Sequence, residues 1–282
     1  RFISPEVALV DAMNPTATGD GHEMAFPLGA HVLNGDILSG PTLRFVPPPR
    51  ETLDRLLPPS RLLGKIMRFS LQNFPERLLR PLVLGFTTTS MAPELSLFAK
   101  GALLVNKRGE RIAGEPPALG LSIAAQPDKI GYVIMDRTLA NVFSAWPNFI
   151  STAPGVAYAY LADYRRNRAD IFHTAKTPEA LAELIGVPPD ALGDALDEAI
   201  RLRRPPYYAL GPAKSWVAFT EGGLRVSTQL EVLDEDGEPI PGLFAAGSCG
   251  QGGVLLEGHG HHLGWAFVSG RIAGASAAAA GS

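Results

Sequence analysis

The sequence predicts an α/β fold with an inserted α+β segment, and three features carry that prediction. Strand character at 101–106 and 130–136 is followed by two helical patterns, one at 177–186 and one at 190–202. Near the C-terminus, a short buried strand at 241–247 leads through a glycine- and histidine-rich loop into a tightly packed helix with small residues on one side. This last order of elements is typical of folds in which backbone N–H groups approach an anionic ligand.

The composition is that of a globular protein. The chain has 282 residues, of which 46% are hydrophobic and 19% charged, with a formal net charge of −3. That length suits one large domain or two smaller ones, and the mildly acidic charge argues against a nucleic-acid partner. The single cysteine, Cys249, excludes an intrachain disulfide and a cysteine-rich zinc site. No apolar run reaches the ~18 residues of a membrane span, and the N-terminus lacks a signal-peptide pattern. We therefore expect a cytoplasmic protein without membrane contact.

Turn and proline signals divide the chain into three segments, 1–40, 41–215 and 216–282. The first segment contains the turn Thr18–Gly21, which is followed by a short helix. Three consecutive prolines at 47–49 form an extended stretch that no helix or central strand would carry. We interpret these prolines as the boundary of an inserted segment.

The insert contains one helix with clear ends and one region with an open interpretation. Thr177 is a predicted N-cap, Pro178 occupies the first helical position, and Gly186 ends the helix. The region 50–86 is helical in pieces, and between residues 61 and 86 basic and apolar side chains alternate. That pattern suits an amphipathic surface for a membrane or for entry of an apolar substrate. We favour the alternative, a cap helix that packs on a partner chain.

The C-terminal segment offers a candidate ligand site. A strand-like stretch at 225–233 and a hairpin turn at 234–237 precede the last strand. The helix that begins near His262–Leu263 would present N–H groups without intrahelical partners and the positive end of its dipole. Gly258 and Gly260 would let the backbone pass close to a ligand. An ordinary strand-to-helix turn with packing glycines explains the same spacing equally well.

Four sequence stretches, which occur in a recognisable order along the chain, extend this interpretation. They are ATGDGHEMAFPLGA (17–30), KGALLVNKRGERIAGE (100–115), TPEALAELIGVPPDAL (177–192) and the C-terminal pattern IPGLFAAGS…EGHGHHLGWAFVSGRIAG. Together they resemble the flavoprotein-subunit family of fumarate reductase and succinate dehydrogenase, which includes the ketosteroid dehydrogenases. The resemblance implies FAD as the cofactor, an α/β FAD-binding domain made of 1–40 and 216–282, and an α+β cap or substrate domain at 41–215.

One part of that family's pattern has no match in the sequence. The family begins with a strand and a G-x-G-x-x-G turn that holds the FAD pyrophosphate at a helix N-terminus, and no such motif occurs between residues 1 and 282. The resemblance therefore implies a second polypeptide that carries this segment, in a heteromer with the present chain. Proteolytic processing of one precursor and two separate genes both remain open.

The resemblance also assigns cofactor contacts. The turn Thr18–Gly21 matches a segment that touches the cofactor, and Ser248 stands where the family often has a glutamate that bonds hydroxyl groups of FAD. The helix start at His262–Leu263 matches the backbone that donates to the flavin pyrimidine edge. The predicted cofactor-binding residues are Thr18, Gly19, Asp20, Gly21, Ala246, Gly247, Ser248, Gly258, His262 and Leu263.

The family's cationic groups for a dicarboxylate do not carry over. Their places hold Leu119, Phe219 and Glu257, so we expect a larger and less charged substrate, such as an enone or a steroid-like ring. We predict His259 or His261 as the proton carrier, with Glu257 orienting one of them. Metal binding by these histidines, and hydrogen bonding to the loop and flavin without catalysis, are the alternatives.

Tyr208 is the remaining catalytic candidate. With Tyr207 it is similar to tyrosines that act on enones in the steroid enzymes, although a packing role explains the same pattern better. The predicted activity is hydride transfer between a substrate carbon next to a carbonyl and the flavin N5 atom, in which the cofactor supplies the redox chemistry. The alternative is a flavin-binding subunit without catalytic activity.

Overall fold

The structure is a computed structural model that describes residues 2–49, 60–74, 84, 88, 91–115, 118–153, 157–199, 201–256 and 260–281. The chain divides into two compact units. Unit 1 consists of Arg1–Thr42 and Trp216–Ser282, and unit 2 consists of Leu43–Ser215. The roles assigned above to the three segments of the chain stay predictions.

Most of the helices and strands are short. Unit 1 opens with β1 (Asp11–Ala12), α1 (Asp20–Ala25), β2 (Val32–Leu33) and β3 (Leu38–Ser39), with 3₁₀ turns at Val7–Leu9 and Phe26–Leu28, and β4 (Thr42–Phe45) leads into unit 2. Unit 2 continues with α2 (Arg61–Asn73), α3 (Leu95–Ala99), β5 (Leu103–Val105), α4 (Leu119–Ala124), β6 (Ile130–Met135), α5 (Arg137–Val142), β7 (Ser151–Ala153), β8 (Ala157–Ala159), α6 (Leu161–Asn167), β9 (Phe172–Ala175), α7 (Pro178–Ile185) and α8 (Pro189–Glu198). Strand β10 (Tyr207–Val217) returns to unit 1, which ends with β11 (Phe219–Thr220), β12 (Gly223–Leu224), β13 (Glu231–Leu233), β14 (Pro239–Phe244) and α9 (His261–Ala280).

The core of unit 2 is built on antiparallel strands. Strand β10 pairs with β9 on one side and β6 on the other, and β5 pairs with the far side of β6. The side chains of Val133, Ile134 and Met135 on β6 are fully buried, as expected for a strand whose two faces are both covered. Helices α7 and α8 contribute Leu181 and Leu192 to this core.

The sequence predicted several elements of unit 2 correctly. Strands β5 and β6 and helix α7 lie where the hydrophobic patterns indicate. The Thr177 hydroxyl accepts a hydrogen bond of 3.3 Å from the backbone N–H of Ala180, and Gly186 adopts the left-handed conformation at the helix end. Helix α8 ends at Glu198, earlier than predicted. Of the region 50–86, the structure describes mainly α2, and most of its described side chains are exposed, including Leu62, Ile66 and Phe69.

Unit 1 contains four strand pairs. Strand β1 runs parallel to the last residues of β10, whereas β2 with β12, β3 with β11 and β13 with β14 are antiparallel. The described strands therefore include parallel and antiparallel pairs, as in a mixed sheet. A small core of Ala25, Leu224, Val232 and Ala245 lies among them.

Three predictions for unit 1 were wrong in detail. The predicted strand at 225–233 is interrupted, because Leu230 has a φ of 66° and the chain turns before β13. The predicted buried strand at 241–247 is β14, most of whose residues are exposed or half-buried because it pairs only with β13. Helix α9 was predicted to be tightly packed, yet only Ser269 and Ala273 are buried along it. The apolar and small residues of α9 are distributed around all sides of the helix. Such a distribution is typical of a helix that is buried in a larger core.

None of the helices in the described ranges is long and apolar enough to cross a membrane.

Candidate functional site

Unit 1 contains a cavity of about 600 Å³ that several predicted residues line. Its wall combines the turn before α1, the end of β10 with β11, the loop after β14 and the first turn of α9. The lining residues are Ala12, Asn14, Thr16, Ala17, Thr18, Gly19, Asp20, Gly21, His22, Val217, Ala218, Phe219, Thr220, Ser248, Cys249 and His262.

The turn Thr18–Gly21 opens α1 beside the cavity. Gly19 is the N-cap of α1 and has a φ of 83°, in the left-handed region that favours glycine. The Thr18 hydroxyl donates a hydrogen bond of 2.8 Å to Oδ1 of Asp20. A Cβ atom on Gly21 would lie 2.8 Å from Sγ of Cys249, so the missing side chain lets α1 pack closely against the loop after β14.

That loop is fixed to helix α9 by hydrogen bonds. The backbone N–H of Gly247 donates to Oγ of Ser269 at 2.9 Å, and the Trp265 indole N–H donates to the Gly247 carbonyl at 2.9 Å. Both polar backbone groups of Gly247 are therefore occupied by protein partners. Ser248, the next residue, lines the cavity.

Two titratable groups of the cavity wall are shifted by burial. Burial raises the pKa of the Cys249 thiol, which favours the uncharged form and a packing role. Burial also lowers the pKa of His22, and the nearby Glu23 carboxylate partly opposes that shift. His22 is therefore shifted toward the neutral form.

A buried carboxylate that the sequence analysis missed adjoins the start of α9. Glu221 lies in the turn between β11 and β12, and its Oε2 accepts hydrogen bonds from Nε2 of Gln251 at 2.6 Å and from the backbone N–H of Leu256 at 3.0 Å. Its Oε1 lies 3.5 Å from Nε2 of His262. The His262 ring stacks on Phe219, with centroids 4.4 Å apart.

The remaining predicted residues lie in different environments. Ala246 is half-buried, His261 is exposed in the first turn of α9, and Leu263 is 68% exposed and does not line the cavity. Tyr208 lies in unit 2 on β10, where it pairs with Met135 and packs against the core, as the packing alternative describes. Glu257, Gly258 and His259 lie outside the described residues.

The structure describes two of the three positions that replace the dicarboxylate-binding groups. Phe219 lines the cavity, and Leu119 is buried in α4 of unit 2. Within the described ranges, no group of three His, Cys, Asp or Glu side chains is arranged to hold a metal ion.

The described fold is that of an α/β protein with a cavity at the start of a long helix. The family model described as FAD binding domain matches residues 96–255, more than half of the chain. The chain therefore belongs to the FAD binding domain family. The predicted resemblance to FAD-dependent oxidoreductases and the prediction of FAD as the cofactor are confirmed.

Individual relatives agree with this assignment. Urocanate reductase of Eggerthella lenta is 33% identical over 202 residues, which cover 63% of this chain and 31% of that protein. Vinyl phenol reductase of Lactiplantibacillus plantarum is 28% identical over 213 residues, which cover 62% of this chain and 42% of that protein. The chain thus spans well under half the length of these relatives.

A solved structure supports the fold. The open conformation of a flavocytochrome c3 fumarate reductase superposes with a TM-score of 0.57 at 21% identity, over 96% of this chain and 42% of that one. At this level of identity the similarity establishes the fold alone.

The cavity fits part of an FAD molecule. Helix α9 has 20 residues, and its N-cap, Gly260, provides no capping side chain. The first turn of such a helix favours an anionic group, because its N–H groups and dipole both point outward. Thr18 and Ser248 add hydroxyl groups that accept and donate hydrogen bonds. A Cβ atom built on Gly19 would meet no described atom within 4 Å, which leaves room for a planar ring to approach the backbone there.

Proposed function

We propose that this chain forms the flavin-facing part of an FAD-dependent oxidoreductase that acts on a carbon–carbon bond next to a carbonyl group. One observation carries the proposal: the predicted residues Thr18–Gly21, Ser248 and His262 line one cavity, although the first group lies more than 220 positions before the other two. That cavity includes the start of the longest described helix.

The chain's own residues would bind and orient the cofactor. The N–H groups of the first turn of α9 would stabilise negative charge on the pyrimidine edge, an interaction worth about 0.3–1 kcal/mol when exposed and up to about 2 kcal/mol when partly buried. Thr18 and Ser248 would hydrogen-bond polar atoms of the ring or its ribityl chain. When bound, the flavin supplies hydride transfer at N5. The predicted proton carriers remain His259 and His261, with Glu257 as the orienting group.

The substrate is proposed from the cavity wall and the relatives. Phe219 offers an aromatic face where a carboxylate-binding histidine stands in the resembled family, so a dicarboxylate would lack that contact. Urocanate and vinyl phenol, which name two relatives, each contain a carbon–carbon double bond conjugated to an unsaturated ring. A substrate with a conjugated carbon–carbon double bond fits these observations, and the aromatic face of Phe219 favours an apolar, enone-like one.

Two further parts of the proposal concern the rest of the assembly. Unit 2 would act as the cap or substrate domain, with Tyr208 as a candidate contact to substrate. The pyrophosphate and adenosine of FAD would be held by a G-x-G-x-x-G segment outside residues 1–282, for which a second polypeptide is the proposed carrier and a longer form of this chain the alternative. The exposed apolar side chains of α9 support such a partner, because a single chain rarely leaves a helix of this composition uncovered.

A matched pair of variants tests the cofactor site. Gly19 and Gly29 both have left-handed backbones, with φ of 83° and 87°, and neither has a neighbour within 4 Å of a built Cβ. Only Gly19 lines the cavity. We expect Gly19→Leu to weaken FAD binding at least tenfold by flavin fluorescence, whereas Gly29→Leu carries the same backbone strain and retains the cofactor. Equal FAD affinity in both variants would overturn the assignment.

Catalysis is tested on the same material. The dithionite-reduced complex should be reoxidised by an enone faster than by fumarate. Retained FAD without turnover of enones, fumarate or a quinone would favour the alternative, a flavin-binding subunit without catalytic activity.

A further inference from the structure

Glu221 occupies a position that is unusual for a carboxylate. It is 6% exposed, in the turn between β11 and β12, and so must be compensated by polar partners. One oxygen, Oε2, is held by the side-chain amide of Gln251 and by the backbone N–H of Leu256. The amide orientation of Gln251 follows from this contact, because the reverse orientation would place two acceptor oxygens 2.6 Å apart.

The second oxygen faces the imidazole of His262. Oε1 lies 3.5 Å from Nε2, which is an ion-pair distance and longer than an ordinary hydrogen bond. Nε2 is buried and has no hydrogen-bond partner among the residues that the structure describes. The side chain as a whole is 22% exposed, so its accessible surface belongs to the other atoms. The remaining nitrogen, Nδ1, is the only other protonation site of the ring.

Among the described residues, Glu221 is an acidic group within ion-pair distance of His262. Phe219 covers one face of the ring by stacking. The other titratable groups of the same cavity wall are Asp20, His22 and Cys249, and His261 precedes it on α9.

We propose that Glu221 and His262 form the proton-transfer pair of this site. Glu221 is the positioning residue: it keeps a proton on Nε2, so that Nδ1 becomes the nitrogen that exchanges a proton with a ligand in the cavity. In the reducing direction, the imidazolium form of His262 would give its Nδ1 proton to the substrate carbon that does not receive the hydride, which leaves the neutral ring with its proton on Nε2, and solvent would restore the Nδ1 proton. The hydride that completes the reduction of the double bond would come from the reduced flavin of the proposed function.

The assignment differs from the one suggested by the sequence, where Glu257 serves His259 or His261. The pair joins two residues that are 41 positions apart, and its geometry involves only described residues. Its catalytic role rests on the proposed oxidoreductase function, whereas the pairing itself does not.

The pairing is tested by nitrogen NMR on the purified full chain with its co-purifying partners. Histidine labelled with ¹⁵N reports which ring nitrogen carries the proton, and His262→Gln identifies the signal. In the wild type we expect the proton on Nε2; in Glu221→Gln it should redistribute between Nε2 and Nδ1. The control Glu231→Gln removes another part-buried carboxylate of unit 1, one that bonds Ser227, and should leave the signal unchanged. An unchanged His262 signal in Glu221→Gln would overturn the pair.

The catalytic role is tested by turnover of the same variants. General acid–base catalysis contributes about 10²–10⁴-fold, so His262→Gln should lose about 100-fold or more with FAD retained. Glu221→Gln should lose about 10-fold, and the double variant should be no slower than His262→Gln alone, because the two residues act as a unit. Turnover of His262→Gln at the wild-type rate would contradict a catalytic role for His262. A complex without FAD would contradict the proposed function, and the NMR result would still decide the pairing.

Discussion

At the scale of single residues, glycines bring the segments of unit 1 together around the cavity. Gly223 is the clearest case. A Cβ atom built on it would lie 2.7 Å from the backbone nitrogen of Gln251 and 3.0 Å from the carbonyl oxygen of Ser248. Both are backbone atoms, which cannot rotate away as a side chain would. The turn that carries Glu221 therefore reaches the loop after β14 only because residue 223 has no side chain.

The first prediction follows from that contact. We expect Gly223→Ala to lower the free energy of unfolding by about 1–3 kcal/mol, the usual cost of overpacking a well-packed site. Gly270→Ala on α9 is the control, because its Cβ meets nothing within 4 Å and alanine favours a helix interior by about 0.5–1 kcal/mol. Urea unfolding followed by circular dichroism measures both. A Gly223→Ala variant as stable as the control would contradict the close packing.

Sequence reasoning found some site residues and missed others for a physical reason. Thr18–Gly21 and Ser248 belong to short local patterns, so a family resemblance was enough to propose them. Glu221 becomes notable only through contacts with Gln251, Leu256 and His262, which lie 30 or more positions later in the chain. A lone glutamate in a turn gives no such signal, because burial and pairing are properties of the folded chain.

At the scale of elements, the capped start of α7 was predictable, whereas the end of α8 was not. A side-chain oxygen that caps a helix belongs to the same few residues as the helix itself, so a local pattern suffices. Thr177 caps α7 in this way. Strand β10 shows the opposite. It has 11 residues, yet Gly211 and Pro212 interrupt its pattern, and it is held by pairing with β6 and β9, which are distant in sequence.

The second prediction compares an exposed cap with a buried one. Asp136 is buried and caps α5, accepting from the backbone N–H of Leu139 at 2.9 Å and from that of Arg204 at 3.0 Å. We expect Asp136→Ala to cost about 2–3 kcal/mol, because both donors lose their partner in a buried site. Thr177→Ala loses one exposed contact and should cost about 1 kcal/mol.

The controls for the caps retain an oxygen at each position. Thr177→Ser keeps the hydroxyl, and Asp136→Asn keeps one acceptor for Leu139. In thermal unfolding, the midpoints of both variants should be closer to that of the wild type than the midpoints of the alanine variants are. Equal losses for Asp136→Ala and Thr177→Ala would show that burial does not set the value of these caps.

At the scale of the whole molecule, helix α9 is apolar in composition but largely exposed in the structure. Phe267 is 79% exposed, and Leu263, Val268 and Ile272 on the same helix are exposed as well. The sequence predicted a packed helix because its residues are apolar and small. The structure of this chain places little against it within the described residues. A partner that covers α9 would account for both its apolar composition and its exposure in this chain.

The third prediction concerns that partner. We expect Phe267→Asp to leave the folding of the chain unchanged, because the ring is exposed, and to abolish co-purification of a second polypeptide with FAD. Met24→Asp on α1 is the matched control, since Met24 is also an exposed apolar residue of unit 1, at 72%, and does not line the cavity. Size-exclusion chromatography with mass measurement distinguishes the outcomes. Retention of the second polypeptide by Phe267→Asp would remove α9 from the interface.

The route of the chain between its two units has a consequence for evolution and engineering. It leaves unit 1 through β4 and comes back through β10, and these strands are neighbours that pair with each other. The backbone N–H of Val46 donates to the carbonyl of Pro212 at 3.0 Å, close to both crossings. Everything between them is thus a module with adjacent entry and exit points. Natural recombination or a designed graft can exchange such a module between homologues, giving chimaeras that are joined at two adjacent points.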